Sequence, residues 1–244
     1  MLINDHSLHV EMHGNSTDPA VIFLHHGLGS VRAWKAQLAN LAAAGFHTVA
    51  FDRWGYGKSD PRPQFNMPFF SEDLEDLHAL VKAIGVEQVS LVGHSDGGTI
   101  ALYFAAAHPE IVTHLVTVAA HVHVEAKMVP GLAVISNSYY HDVDFQGKFQ
   151  RQHGNQAEAV FNNWFNGWNR AENLSWDMRP LIRQITCPTL VVQGVEDEYS
   201  SPQHARQIAA AIPGAELWLV PGVGHMLPQE YAREFNQRLI DFLR

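Results

Sequence analysis

Short apolar runs of strand length alternate with helix-spaced segments along most of this chain, and that rhythm leaves few folds open. Residues 20–24, 47–51, 89–92, 114–119, 189–192 and 216–220 each read as a strand. The first run, Ala-Val-Ile-Phe-Leu, is apolar at every position, which suits a strand covered on both faces of a sheet. Between the strands, Trp34, Leu38, Leu41 and Ala42 recur at helical spacing. Leu74, Leu77, Leu80, Val81 and Ile84 mark a second helix, which Ser71 is placed to cap. Residues 99–107 and 202–212 are expected to be helical, and residues 228–243 to form one closing helix. Residues 7–13 alternate weakly and fit an edge strand. Strands alternating with helices indicate parallel βαβ units with right-handed crossovers.

The rhythm breaks over residues 121–183. That stretch holds no clear strand but is rich in aromatics, and a structureless loop of such length is improbable in a compact domain. The expectation is therefore an α/β fold with a mostly parallel central sheet flanked by helices. Residues 1–120 and 184–244 form the core, and residues 121–183 form a small helical cap inserted after the sixth strand. The 244 residues suffice for one domain with such an insertion. One cysteine, Cys187, rules out an internal disulfide, and its place before Pro188 at a strand start suits inert core. A net charge of −9 without a basic patch argues against nucleic acid as a partner. The amino terminus has no basic and apolar leader and no run is long enough for a membrane span, so a cytoplasmic protein without membrane contact is expected.

The strongest chemical signal is Gly93-His94-Ser95-Asp96-Gly97. It follows an expected strand and opens an expected helix, the context that a G-x-S-x-G nucleophile elbow requires. The flanking glycines suit a turn too tight for side chains, and the helix N-terminus favours negative charge developing beside Ser95. A nucleophilic serine needs a base, and the base an orienter. The strand at 189–192 runs into Gly194-Val195-Glu196-Asp197-Glu198, and that at 216–220 into Pro221-Gly222-Val223-Gly224-His225. Asp197 and His225 thus follow the carboxyl ends of parallel strands, at the sheet edge that Ser95 occupies. Glu196 and Glu198 flank Asp197, so the three acids also read as a solvated turn. Acyl transfer further requires an oxyanion hole. Its two N–H donors are expected from Asp96, the residue after the nucleophile, and from Leu28 in the loop His26-Gly27-Leu28-Gly29.

Together with Asp52-Arg53-Trp54-Gly55-Tyr56-Gly57-Lys58-Ser59, these motifs resemble those of the α/β-hydrolase-fold serine hydrolases over essentially the whole chain. The resemblance implies Ser95 as nucleophile, His225 as general base and Asp197 as its orienter. Phe69-Phe70, Val89-Ser90-Leu91-Val92-Gly93, Ser95-Asp96-Gly97-Gly98 and Cys187-Pro188 are similar to the valacyclovir hydrolase (biphenyl hydrolase-like) group. In that group the acid after the nucleophile binds the α-amino group of amino-acid esters, which implies this substrate-binding role for Asp96. The residues alone favour reading Asp96 as a helix N-terminal acid stabilised by the dipole. His94, the oxyanion loop and most of the insertion depart from the group's pattern.

Phe161, Trp164, Phe165 and Trp168 recur at helical spacing, and one face of aromatics could line an acyl pocket or glue the cap to the core. The pair His121-x-His123 lacks a clustered third ligand, so no metal site is expected. The expected activity is hydrolysis of small carboxylic esters or related acyl compounds through an acyl-enzyme, without a cofactor, with amino-acid esters as candidate substrates. Rival readings are carbon–carbon bond hydrolysis by the same triad, acyl transfer, and a low-turnover ligand receptor. Activity should fall in acid as the His225 imidazole protonates.

Overall fold

The computed structural model describes all 244 residues. Two short strands, β1 (Leu2–Ile3) and β2 (His6–Ser7), form an antiparallel hairpin of their own. The main sheet follows with β3 (Val10–His13), β4 (Ala20–Leu24), β5 (His47–Phe51), β6 (Val89–His94), β7 (Val112–Val118), β8 (Thr189–Gly194) and β9 (Glu216–Val220). Its seven strands lie in the order β3-β5-β4-β6-β7-β8-β9. Only β3 runs antiparallel to its neighbour. The edge strand expected over residues 7–13 is therefore split: Ser7 pairs back with Leu2, and pairing with the large sheet begins at Val10. Leu8, buried between them, marks where the chain changes partner.

Helices α1 (Lys35–Ala43) and α10 (Ala232–Leu243) lie on one side of the sheet. Those on the other are α2 (Ser71–Ala83), α3 (Asp96–Ala107) and α8 (Pro202–Ala211). The apolar run of β4 serves both layers by alternation. Val21 and Phe23 join Trp34, Leu38 and Phe235 in one core, while Ile22 and Leu24 join Leu77, Ile100 and Phe104 in the other. Ser71 does not cap α2 but is its first residue, because the buried Phe70 takes the capping position with φ of 54°. The closing helix is interrupted at Tyr231, which separates α9 (Leu227–Glu230) from α10.

The insertion leaves the large sheet after β7, the fifth of its strands in chain order rather than a sixth. It builds α4 (Met128–His141), α5 (Val143–His153), α6 (Ala157–Trp168) and α7 (Arg179–Ile182). Asp142 starts α5 by accepting the N–H groups of Asp144 and Phe145. The two ends of the insertion meet at a bridge between His123 and Asp177. Helices α4 to α6 make a lid over the carboxyl ends of the strands, whereas α7 packs against α3 and α8.

Candidate active site

Ser95 sits between β6 and α3 with φ 54° and ψ −119°, a backbone state rare for any residue with a side chain. The turn explains its glycines. A Cβ on Gly93 would lie 2.2 Å from the Gly97 carbonyl oxygen, and one on Gly97 would lie 2.2 Å from that of Leu24. Neither backbone can retreat, so the elbow closes only around glycine.

Asp197 and His225 follow β8 and β9 and meet beneath the lid. His225 Nδ1–H donates to Asp197 Oδ2 at 2.8 Å, which turns Nε2 away from that carboxylate. Ser95 and His225 line one cavity, although the two side chains form no direct hydrogen bond. Asp197 is buried and heavily bonded. Its Oδ1 accepts the N–H groups of Tyr199 and Ser200, and its Oδ2 also accepts Gln193 Nε2–H. Burial alone would raise its pKa, but the charge and hydrogen bond of His225 and these backbone donors together hold it far below the ordinary range. The flanking acids do different work. Glu198 accepts the His225 backbone N–H, and Glu196 accepts that of Gly222, so both fasten the loop that carries His225.

Asp96 opens α3, so its backbone N–H is one of those a helix leaves without an internal acceptor. Leu28 lies in the turn after β4, and its N–H has no acceptor within the protein. Both residues border the cavity beside Ser95. The Asp96 side chain is buried and accepts Trp164 Nε1–H at 3.0 Å and Trp168 Nε1–H at 3.2 Å, one on each carboxylate oxygen. Burial raises its pKa to about 6, opposed by the charge of Arg53 and by the two indole donors.

The cavity holds about 470 Å³. Apolar side chains of α4 and α5, including Met128, Leu132, Ile135 and Phe149, form its outer wall, and Lys148 is its one ammonium group. Trp164 and Trp168 reach it, but Phe161 and Phe165, expected in the same lining, do not. Phe161 stacks on Tyr139 with centroids 3.7 Å apart, and Phe165 stacks on Phe161. All four aromatics recur at helical spacing, yet only the tryptophans turn their indole edges to Asp96. Phe161 instead binds α6 to α4, and Phe165 packs on it from within α6.

Several further residues shape the site. His94 Nε2–H donates to the His225 carbonyl oxygen at 2.9 Å and holds that loop. Burial, aided by the charge of His225, lowers the His94 pKa to about 3, so the ring is neutral. His121, from the expected-chance pair, lines the cavity and is likewise kept neutral by burial. His123 faces away, contacting Gln207 and the Val124 carbonyl. His25 accepts the Arg53 N–H on Nε2 and donates from Nδ1 to His26 O, joining the loops after β4 and β5. The Asp52-to-Ser59 motif closes on itself. Asp52 accepts the N–H groups of Val31 and Lys58, and a Cβ on Gly57 would lie 2.1 Å from its carboxylate.

The family model for the alpha/beta hydrolase fold matches residues 19–180. The serine hydrolase BPHL of Homo sapiens is 31% identical, over 99% of this chain and 84% of its own length. A 2-hydroxy-6-oxo-6-phenylhexa-2,4-dienoate hydrolase of Comamonas testosteroni is 26% identical, over 92% of this chain and 87% of its own. Among solved structures, the enol-lactonase from Burkholderia xenovorans LB400 superposes with a TM-score of 0.81 at 19% identity, covering 100% of this chain and 98% of that one.

Proposed function

This chain belongs to the alpha/beta hydrolase fold family and is a hydrolase, and on that premise we propose that it cleaves small carboxylic esters through Ser95, His225 and Asp197. The observation that carries the reading is the hydrogen bond from His225 Nδ1–H to a buried, strongly acidic Asp197, in the cavity that Ser95 shares. That bond directs the basic Nε2 away from Asp197 and makes an imidazolium tolerable. Ser95 Oγ attacks the ester carbonyl while His225 Nε2 takes its proton. The tetrahedral oxyanion receives the N–H groups of Leu28 and Asp96. Collapse expels the alkoxide, which takes the proton back from His225, and leaves an acyl-serine. Water, deprotonated by the same nitrogen, then attacks the acyl carbon and releases the carboxylic acid, restoring Ser95.

The finer reading concerns Asp96, which lines the same largely apolar cavity as the nucleophile. We infer that it receives an ammonium group on the substrate, so that amino-acid esters are preferred. Support comes from its position in the lining and from the Arg53 charge and indole donors that favour its ionised form. A panel of amino-acid esters against matched esters lacking the amine tests both levels. The account expects turnover of both series with higher kcat/KM for the amines. Equal rates would remove the amine preference, and cleavage of vinylogous diketones with little esterase activity would move the reaction to carbon–carbon bonds.

A further inference from the structure

The turn that carries Leu28 is held from the lid. Gly29 N–H donates to His26 O at 2.9 Å and closes a tight turn, and Leu28 sits between Gly27 and Gly29. That bond holds the Leu28–Gly29 peptide through its N–H; the carbonyl oxygen of the same peptide is held from the lid, accepting Gln152 Nε2–H at 2.7 Å and His153 Nε2–H at 3.2 Å, both at the end of α5.

His153 is 1% exposed, and its Nδ1 accepts the Gly57 N–H at 2.9 Å. That acceptance fixes the tautomer: the single ring proton sits on Nε2 and faces Leu28 O. Burial lowers the pKa of the ring to about 4, so the neutral form that makes both bonds persists. One lid side chain thus ties the loop after β4 to the loop after β5.

We propose that Gln152 and His153 are positioning residues for the oxyanion hole. By holding Leu28 O they fix the peptide that follows Leu28, and through the turn's backbone they set the orientation of the adjoining peptide that carries the Leu28 N–H, so that seating α5 and completing the oxyanion hole are one event. The role rests on the reading of Ser95 and Leu28 given above. A substrate carbonyl accepts weakly from a misaimed N–H and a developing oxyanion loses much more, so the loss falls on kcat rather than KM.

The test combines Gln152→Met, which keeps length without a donor, with His153→Asn, which keeps the acceptor for Gly57 but loses the donor to Leu28. In the double variant kcat should drop by about 100-fold, the order of losing one oxyanion donor, with KM within about twofold. Affinity for a trifluoromethyl ketone, which forms a tetrahedral adduct on a serine, should fall by the same factor as kcat/KM. Affinity for the product acid should not change. His153→Gln alone, which carries a donor near the original Nε2, should retain most of kcat. A raised KM at constant kcat, or unchanged affinity for the ketone, would overturn the proposal and leave Gln152 as cavity wall and His153 as a packing contact of the lid. If the double variant does not fold, Gln152→Met alone must show the same split at about tenfold. Ketone binding to Ser95→Ala as tight as to wild type would instead strike the serine reading, and the positioning role with it.

Discussion

Asp96 does two jobs from one position: its backbone offers an N–H to the nucleophile's side of the cavity, and its side chain places a buried carboxylate there. With its pKa raised to about 6, the carboxylate is mostly ionised at neutral pH and loses its charge in mild acid. The ratio of kcat/KM for an amino-acid ester over its amine-free match should therefore decline as pH falls through about 6. A ratio constant from pH 7.5 to 5 would remove the ammonium role. Because losses common to both substrates cancel in a ratio taken where the substrate amine stays protonated, the measurement isolates Asp96. Asp96→Asn should lower the same ratio at pH 7.5 by about 10-fold or more while leaving the amine-free ester within a few-fold, the scale of one charged hydrogen bond. Among the acids after β8, the residues alone left Asp197 beside two equivalent neighbours. Only the folded loop separates them, since Glu196 and Glu198 turn back to backbone N–H groups.

At the scale of elements, the strand–elbow–helix unit was legible because its constraints are local. Strand-length apolar runs, tight glycines and helix spacing all act within a few residues. Gly97→Ala makes the point testable: the new methyl would lie 2.2 Å from the Leu24 carbonyl oxygen. Overpacking of this kind costs about 1–3 kcal/mol, so the unfolding midpoint in urea should fall and activity should collapse with the displaced elbow. A variant with wild-type stability and turnover would contradict the geometry. Helix α6 was legible as an aromatic helix but not in its orientation, because Phe161, Trp164, Phe165 and Trp168 share one periodicity and the lid's direction of approach selects the tryptophans. Trp164→Phe keeps the ring and removes one donor to Asp96. The pH at which amine preference is half lost should then move upward, since a lost hydrogen bond to the charged form raises a carboxyl pKa. An unmoved midpoint would show that the indole does not tune Asp96. His153 had no signal at all in the sequence, because its partners, at Gly57 and Leu28, are roughly a hundred residues away in the chain.

For the whole molecule, the 16 histidines matter through burial. His25, His26, His94, His121, His153 and His204 are all held neutral chiefly by desolvation, with pKa values pulled below the ordinary range. The unfolded chain binds protons at these rings below about pH 6.5 while the folded one does not, so acid favours unfolding. Each ring contributes up to about 1.4 kcal/mol per pH unit in that window, enough for a few of them to consume the ~5–15 kcal/mol of a typical fold. Asp96, Asp52 and Asp76 act in the opposite sense, since burial raises their pKa values and each adds stability as it takes up a proton in acid, but they are three groups against six. Urea midpoints should therefore drop steadily from pH 6.5 to 5, and a flat profile would contradict this balance. Turnover in this window must therefore be normalised to folded protein. The central claim, that Ser95 is the nucleophile, is tested most directly by a fluorophosphonate probe at pH 7.5 read by intact mass and peptide mapping. One adduct per chain on Ser95, blocked by ester substrate and absent from Ser95→Ala, is the predicted result. No adduct on active enzyme, or one on another residue with Ser95→Ala still turning over ester, would contradict it.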